Sequence, residues 1–341
     1  MNTKISIITG TYPPEKCGVG DYTFNLIQTV GAKNWKLLYY TDWTLKTLFE
    51  KIYQIKNSEG DVINIQYPCM GYGYSIVPHL LCLYFSLFSK KQFSITIHEF
   101  IRMGRKSKIA SMIFLIFAQK IIFTNEFERE AAIKKLFFVK NKSTVLKIYS
   151  NIKQSSTFHE IPVRKYDIGY FGLISPLKGI EDFLLVIKQL LVENSNYQVY
   201  IMGQTQPEYE SYYSSIINNA KEIGITLFLN EDQNFVTGIL SDTKLCYLPY
   251  PDGVSERRGS FLAAVLNYCI ILTTKGIFTT KAHQSFCSFS DKTHAAKTIV
   301  DILNQKNTEY YKNCQNQMKL FIDKEIPKSW EQVAEQYNSL F

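Results

Sequence analysis

The chain has 341 residues, 46% hydrophobic and 20% charged, with a formal net charge of +8. That length supports two domains, and the composition excludes an intrinsically disordered chain. The positive balance favours a partner that carries negative charge: a nucleotide, a pyrophosphate, an anionic membrane surface or a nucleic acid.

The first predicted element is the strand KISIIT (4–9), which lacks the long apolar core of a signal peptide. It leads into TGTYPPEKCGVGDYTFNLI (9–27), a loop rich in Pro and Gly that runs into a helix over 20–30. Gly18 and Gly20 let the backbone approach a ligand closely, and Asp21 or Tyr22 opens the helix. The dinucleotide fingerprint is incomplete, because Thr23 follows where a third glycine belongs. The plainer alternative is a loop glycine pair with a helix cap.

Strands follow at 35–41, 61–67, 93–99, 120–125 and 143–148, with helices over 45–57, 76–89, 106–118 and 126–136. Two apolar runs, 78–89 and 109–123, need testing as membrane spans; the second is interrupted by Gln119 and Lys120. Both fall short of the roughly 20 apolar residues a bilayer span needs and read as buried helices, with interfacial contact as the alternative. The strand over 93–99 ends in ITIHEF (95–100), where His98 can hydrogen-bond a sugar hydroxyl or a developing charge. The alternative is a histidine satisfied by backbone in a turn. No second His or Cys stands at ligand spacing from it, so no metal is expected.

Next, IRMGRKSKIASMIFLIF (101–117) sets Arg102, Arg105, Lys106 and Lys108 ahead of an apolar helix. Such a cluster suits a lipid-linked pyrophosphate acceptor at an anionic leaflet, or a solvated loop before a buried helix. The polar stretch 149–165 reads as a linker. Strands resume at 166–172, 197–203, 225–230, 244–250 and 269–274, with helices over 179–193, 208–222, 259–268 and 293–304. Trp330, Val333, Tyr337 and Leu340 at helical spacing predict a closing helix within 327–341.

Near-continuous apolar strands alternating with helices predict parallel sheets covered on both faces. The expected class is α/β, with two doubly wound Rossmann-like domains facing a cleft: 1–160, 161–326, and a closing helix over 327–341 that crosses back to the first. Ligands of such sheets bind at the carboxyl ends of strands. Two loops of the second half stand out there. In GYFGLISPLKGIEDFLLVI (169–187), Gly172, Pro176 and Gly179 present Lys178 at a helix start, suited to phosphate although the P-loop order is absent. In PYPDGVSERRGSFLAAVL (249–266), Gly253, Ser255, Gly259 and Ser260 surround Arg257 and Arg258. An arginine fork grips phosphate oxygens, and the N–H groups of the following helix add donors; the alternative is a surface ion pair with Asp252 or Glu256. Lys178 with Arg257 and Arg258 could neutralise a diphosphate. The seven cysteines are scattered without a CxxC pair and read as reduced thiols of a cytosolic protein.

In this order and spacing, the PPEKCGVGDYT loop, the HE after a strand, FGLISPLKG, LSDTKLCYLPY and DGVSERRGSFLAAVLNYCIILTT resemble the retaining glycosyltransferases of family 4 over nearly the whole chain. The nearer resemblance is to a subgroup bearing RRGS. It implies the GT-B architecture and transfer of a sugar from a nucleotide diphosphate sugar, with retention, to a glycan or lipid-linked acceptor in bacterial-type surface polysaccharide synthesis. It implies no cofactor and no required metal, and a cytoplasmic protein, peripheral on the inner face of the membrane where the acceptor is lipid-linked. By the same resemblance the donor lies against Gly18, Gly20, Lys178, Ser255, Glu256, Arg257, Arg258, Gly259 and Ser260. The acceptor side takes Asp21, Tyr22, Gln66, Tyr67, Glu99 and Arg102, with His98 by the transferred sugar and the catalytic set His98, Lys178, Arg257 and Arg258.

The chain departs from that pattern at three places. Leu173 stands where the family often has arginine, no carboxylate lies in LAA (262–264) where a second glutamate is usual, and NYCIIL lacks the glycine-proline pair. Arg257 or Arg258 is expected to supply the cation missing at Leu173. Rival readings are a sugar-nucleotide epimerase of the same architecture, a catalytically silent nucleotide-sugar-binding subunit, and a nucleic-acid binder. The last is disfavoured, since no recognition module is present and no nucleic-acid partner is expected.

Overall fold

Short apolar segments become the strands of two parallel sheets in this computed structural model, which describes residues 4–15, 17–30, 35–205, 209–305 and 308–341. The chain divides into two units, one formed by the residues up to Tyr149 together with Pro327–Phe341, the other by Ser150–Ile326. The first runs β1 (Ile5–Thr9), α1 (Gly18–Val30), β2 (Trp35–Tyr39), α2 (Leu48–Lys56), β3 (Val62–Tyr67), α3 (Val77–Phe88), β4 (Gln92–Ile97), α4 (Arg105–Phe117), β5 (Lys120–Phe123), α5 (Glu126–Lys135) and β6 (Ser143–Val145). The second runs β7 (Tyr166–Phe171), α6 (Ile180–Glu193), β8 (Val199–Gly203), α7 (Glu210–Glu222), β9 (Thr226–Leu229), α8 (Gln233–Ser241), β10 (Thr243–Leu248), α9 (Gly259–Leu266), β11 (Ile270–Thr273), α10 (Lys281–Gln284), β12 (Cys287–Phe289), α11 (Ala295–Leu303) and α12 (Thr308–Glu325). A last helix, α13 (Trp330–Asn338), returns to the first unit.

Each unit holds a six-stranded parallel sheet, ordered β2-β1-β3-β4-β5-β6 and β12-β11-β10-β7-β8-β9. Strand order reverses between β1 and β3 in the first sheet and between β7 and β10 in the second. Loops leaving the carboxyl ends of those pairs splay to opposite faces and open a crevice, the usual ligand position in such sheets. The expected α/β class, with two doubly wound sheets, is what the chain adopts.

The strands carry apolar residues on both sides because helices cover both faces. Ile63, Ile65, Tyr67, Ile121 and Phe123 join one core cluster with α3 and α4, while Ile5, Ile7, Val62 and Ile122 join another with α1 and α13. Leu81, Phe85 and Phe114 are fully buried, each worth roughly 1.5–3 kcal/mol of transfer free energy. Side-chain caps from Asn125, Asp232, Thr280 and Ser329 start α5, α8, α10 and α13 by accepting from backbone N–H groups left unpaired in the first turn.

Two places differ from the sequence expectation. The stretch 149–165 is no loose tether: from Ser150 onward it is bolted to the second unit. Asn267 accepts from the Ser155 N–H at 3.0 Å and donates to the Lys153 carbonyl at 3.2 Å, and the Arg164 guanidinium is buried among backbone carbonyls. A second departure is α12, an 18-residue helix that the sequence reading left unassigned. Its buried face is only Tyr311, Cys314, Met318 and Phe321, a 3-4-3 spacing thin enough to be hidden among polar residues.

Candidate functional site

The second sheet's crevice is built by the turn after β7 and the turn after β10. Gly179 has φ +83°, and a Cβ there would fall 1.9 Å from the Pro249 carbonyl oxygen. Only glycine lets the lysine turn lie against the arginine turn. Tyr170 donates its hydroxyl to the Lys178 carbonyl at 3.1 Å, holding the half-buried lysine at the start of α6. Across the contact, Tyr250 and Ser260 share a hydroxyl hydrogen bond of 2.7 Å, and Ser260 lies 3.7 Å from where a Gly172 Cβ would stand. Lys178, Ser255, Glu256, Arg257, Arg258, Gly259 and Ser260 are thereby gathered on two touching turns.

The two arginines differ. The Arg258 guanidinium pairs with the Asp252 carboxylate, donates Nε to the Gly253 carbonyl at 3.3 Å and stacks 3.9 Å over the Tyr250 ring. The ion-pair alternative therefore describes Arg258, whose charge is partly offset by Asp252, though the pair is largely buried rather than on the surface. Arg257 packs 4.8 Å over the Phe278 ring. Ser255 is buried and Gly259 exposed at the first turn of α9.

The two helix starts also differ in charge. Glu181 and Asp182 occupy the first turn of α6, whereas α9 has no acidic residue in its first turn. Partial positive charge at a helix N-terminus is available to an anion only where no carboxylate of the helix already takes it. The α9 start, flanked by the arginines and the lysine turn, is the better phosphate seat.

In the first unit, the crevice lies between the loops after β1 and β3. A Cβ on Gly20 would press on the Thr11 carbonyl oxygen at 3.0 Å, whereas one on Gly18 would meet no described atom within 4 Å. Gly20 is thus demanded by packing, and Gly18 faces open space. Asp21 lies in the first turn of α1, its N–H donating to the Cys17 carbonyl at 2.8 Å. Glu99 and Arg102 form a part-exposed ion pair at 3.6 Å.

His98 follows β4, with its N–H on the Tyr67 carbonyl at 2.7 Å and its ring edge-on to Tyr22 at 4.9 Å. Tyr22, Gln66 and Tyr67 are buried; Tyr22 and Gln66 meet the His98 ring, whereas the Tyr67 ring packs against His79 and Phe114. The support is a polar ladder running through the sheet. Ser94 Oγ donates to the Ile63 carbonyl, which can only accept, so Ser94 must accept from Asn64 Nδ2. That orients Asn64 Oδ1 to accept from Gln66 Nε2 at 2.6 Å, and leaves Gln66 Oε1 facing His98 Nε2 at 2.8 Å. Gln66 Nε2 also reaches Tyr337 of α13 at 3.2 Å, and the Tyr337 hydroxyl bonds Thr96.

One backbone carbonyl thus biases the neutral His98 ring toward the tautomer with its proton on Nε2 and Nδ1 as the accepting nitrogen. Side-chain nitrogen NMR should show that tautomer favoured in the unmodified protein. A hydrogen bond of about 1 kcal/mol gives roughly a fivefold bias, which Gln66→Leu should abolish. An unchanged tautomer ratio in that variant would rule the ladder out as its cause. Asn64 and Thr96 were not singled out from sequence, and Tyr337 only as an apolar position of the closing helix. The available signal was the polar alternation of NIQ in one strand against SIT in the next.

Among the described residues no group of three or more His, Cys, Asp or Glu is placed to hold a metal ion, and no helix is long and apolar enough to cross a membrane. No family model matches the chain, and no curated protein matches it in sequence. Solved structures do match in fold. HepE from Anabaena, solved with UDP and glucose, is 11% identical with a TM-score of 0.71, over 99% of this chain and 98% of that one. A glycosyltransferase from Rickettsia africae is 9% identical with a TM-score of 0.73, over 100% and 98%. An alpha-glucosyltransferase solved with UDP and a 13-mer DNA is 10% identical with a TM-score of 0.62, over 100% of both. The chain has the GT-B fold of two Rossmann-like domains.

Proposed function

From the GT-B fold as premise, we propose that this chain is a retaining glycosyltransferase. It moves a sugar from a nucleotide diphosphate sugar to a glycan or lipid-linked acceptor. The observation that carries the reading is the meeting of the lysine turn and the arginine turn at a helix whose own first turn holds no carboxylate. HepE, of the same fold, was solved with UDP and with UDP-glucose, which makes a uridine diphosphate sugar the first donor to try.

The second unit holds the diphosphate. Lys178, Arg257 and the first N–H groups of α9 meet the charge that grows on the phosphate as the bond to the anomeric carbon breaks. Arg258, anchored by Asp252, shapes the turn and adds a partly offset charge. Cations fixed in advance stabilise this charge more in the transition state than in the ground state. An acceptor hydroxyl attacks from the face the phosphate leaves, and the departing phosphate oxygen takes its proton, which preserves the anomeric configuration. His98 Nδ1 accepts a hydrogen bond from a hydroxyl of the transferred sugar. Gly18 offers backbone to the donor, with Asp21, Glu99 and Arg102 toward the acceptor.

A lipid-linked acceptor at an anionic membrane face fits α4. Arg102, Arg105 and Lys106 are exposed at its start, and Ile109 and Ile116 are 73% and 46% exposed along it. The same role fits a place in bacterial-type surface polysaccharide synthesis. A silent nucleotide-sugar-binding subunit is the second reading, favoured by the fully buried Ala264 in the segment where a second glutamate is usual.

A thermal-shift panel of nucleoside diphosphates and their sugars tests the reading. A ligand at a hundred times its Kd adds about 2.7 kcal/mol, so UDP or a relative should raise the melting temperature by roughly 5 °C or more. No shift with any member would overturn the assignment. A shift without sugar transfer or donor hydrolysis would favour the silent subunit, and the anomeric coupling of the product would report retention.

A further inference from the structure

We propose that Cys17 and Cys69 form a peroxide-reactive dithiol that closes to a disulfide across the crevice of the first sheet. This modification site stands independently of the transferase reading. Cys17 ends the loop after β1 and Cys69 follows β3, so the reversal of strand order brings residues far apart in sequence to one place. Their sulfurs are in hydrogen-bond contact, and the Thr11 hydroxyl touches both, with Thr9 Oγ1 3.6 Å from the Cys69 sulfur. The loops are interlocked: a Cβ on Gly71 would fall 1.7 Å from the Gly10 carbonyl oxygen, and one on Gly10 would fall 2.7 Å from the Tyr72 ring.

The two sulfurs have different chemistry. Cys17 sits immediately ahead of α1, and its sulfur accepts from Cys69, from Thr11 and from the backbone N–H groups of Met70 and Gly20. The hydrogen bond from Cys69 is the main cause that draws the Cys17 thiol below the ordinary range, against the opposing effect of burial. Thiolates are favoured at helix N-termini and are the nucleophilic form of cysteine. Cys69, as the donor and as a buried thiol, keeps its proton and is held above the ordinary range. That is the division of labour between an attacking and a resolving cysteine.

The chemistry balances with a hydroperoxide as oxidant. The Cys17 thiolate attacks the terminal peroxide oxygen, the O–O bond breaks, and the alkoxide or hydroxide leaves with the electron pair, giving Cys17 sulfenic acid. Cys69 then attacks the Cys17 sulfur, the S–S bond forms, the S–O bond breaks, and the departing hydroxide takes the Cys69 proton as water. Cys17 and Cys69 keep 7% and 6% of their surface, whereas the other contacting pair, Cys246 and Cys269, keeps none.

The test maps disulfides in the intact chain. The reduced protein is treated with equimolar hydrogen peroxide, capped with N-ethylmaleimide, digested without reductant and sequenced by mass spectrometry, which separates Cys69 from Cys82 by fragmentation. The expected product is a Cys17–Cys69 cross-link that forms before any other and is reversed by dithiothreitol. Cys69→Ser should instead accumulate Cys17 sulfenic acid, trapped by dimedone, and Cys17→Ser should give neither product. A different cysteine oxidised first, or Cys17 passing to sulfinic acid with Cys69 unreacted, would overturn the proposal. The mapping of the unmodified protein decides this even if a serine variant fails to fold.

Discussion

Lys178→Ala is expected to lower kcat by roughly 10²–10³ while leaving UDP affinity within about tenfold. The asymmetry follows from when the charge appears. In the ground state the diphosphate already has the α9 N–H groups and Arg257, and one lysine adds a modest share of binding. As the sugar leaves, another negative charge gathers on the phosphate oxygen, and an ammonium carried on a backbone-fixed turn meets it. The turn is fixed because Gly179 seats against the Pro249 carbonyl and Tyr170 clamps the Lys178 carbonyl. Lys178→Arg should recover only part of the loss, since a planar fork does not place its charge where a compact ammonium does. Steady-state kinetics beside UDP titration separates the cases. Equal losses in kcat/KM and UDP affinity with kcat intact would make Lys178 a binding residue alone.

Strand and helix order was readable because parallel strands covered on both faces leave a near-continuous apolar signature, such as VYIMG in β8 and IILT in β11. The lysine and arginine turns were readable because cations flanked by glycine are unusual before apolar helices. What the sequence could not display is commitment. Arg257 and Arg258 are adjacent and chemically identical, yet one is claimed by Asp252 and stacked on Tyr250 while the other packs on Phe278. Gln66 and Tyr67 carry polar groups beside a strand end and look like surface contacts, but pairing with β4 buries them, with α13 over Gln66 and α3 and α4 over Tyr67. The Tyr337–Gln66 contact spans 271 positions, and no local pattern encodes it.

Arg164 illustrates the same limit, and its loss should be the largest stability effect in the second unit. It lies in a polar stretch that gives no hint of burial, yet is only 2% exposed. Its Nε donates to the His159 carbonyl at 3.1 Å, and one terminal nitrogen faces the carbonyls of Thr243, Asn267 and Tyr268 at 2.8, 3.2 and 3.2 Å. Burial pulls its pKa below the ordinary arginine value, but a guanidinium remains charged at neutral pH. Two of those carbonyls close the C-terminal end of α9, so the cation also meets the negative end of that helix. Arg164→Ala strands several buried acceptors at about 1–3 kcal/mol each, offset by water entering the gap. We expect a net loss of about 3–5 kcal/mol in urea unfolding, with Arg164→Lys recovering part of it. The phosphate seat is at the opposite end of α9, which at 8 residues is about 12 Å long. Over that distance two unit charges interact by about 1.4 kcal/mol at an effective dielectric of about 20, so UDP affinity measured well below the melting temperature should change by no more than about tenfold. Intact stability with weakened UDP binding would move Arg164 from the scaffold of the second unit into its ligand site.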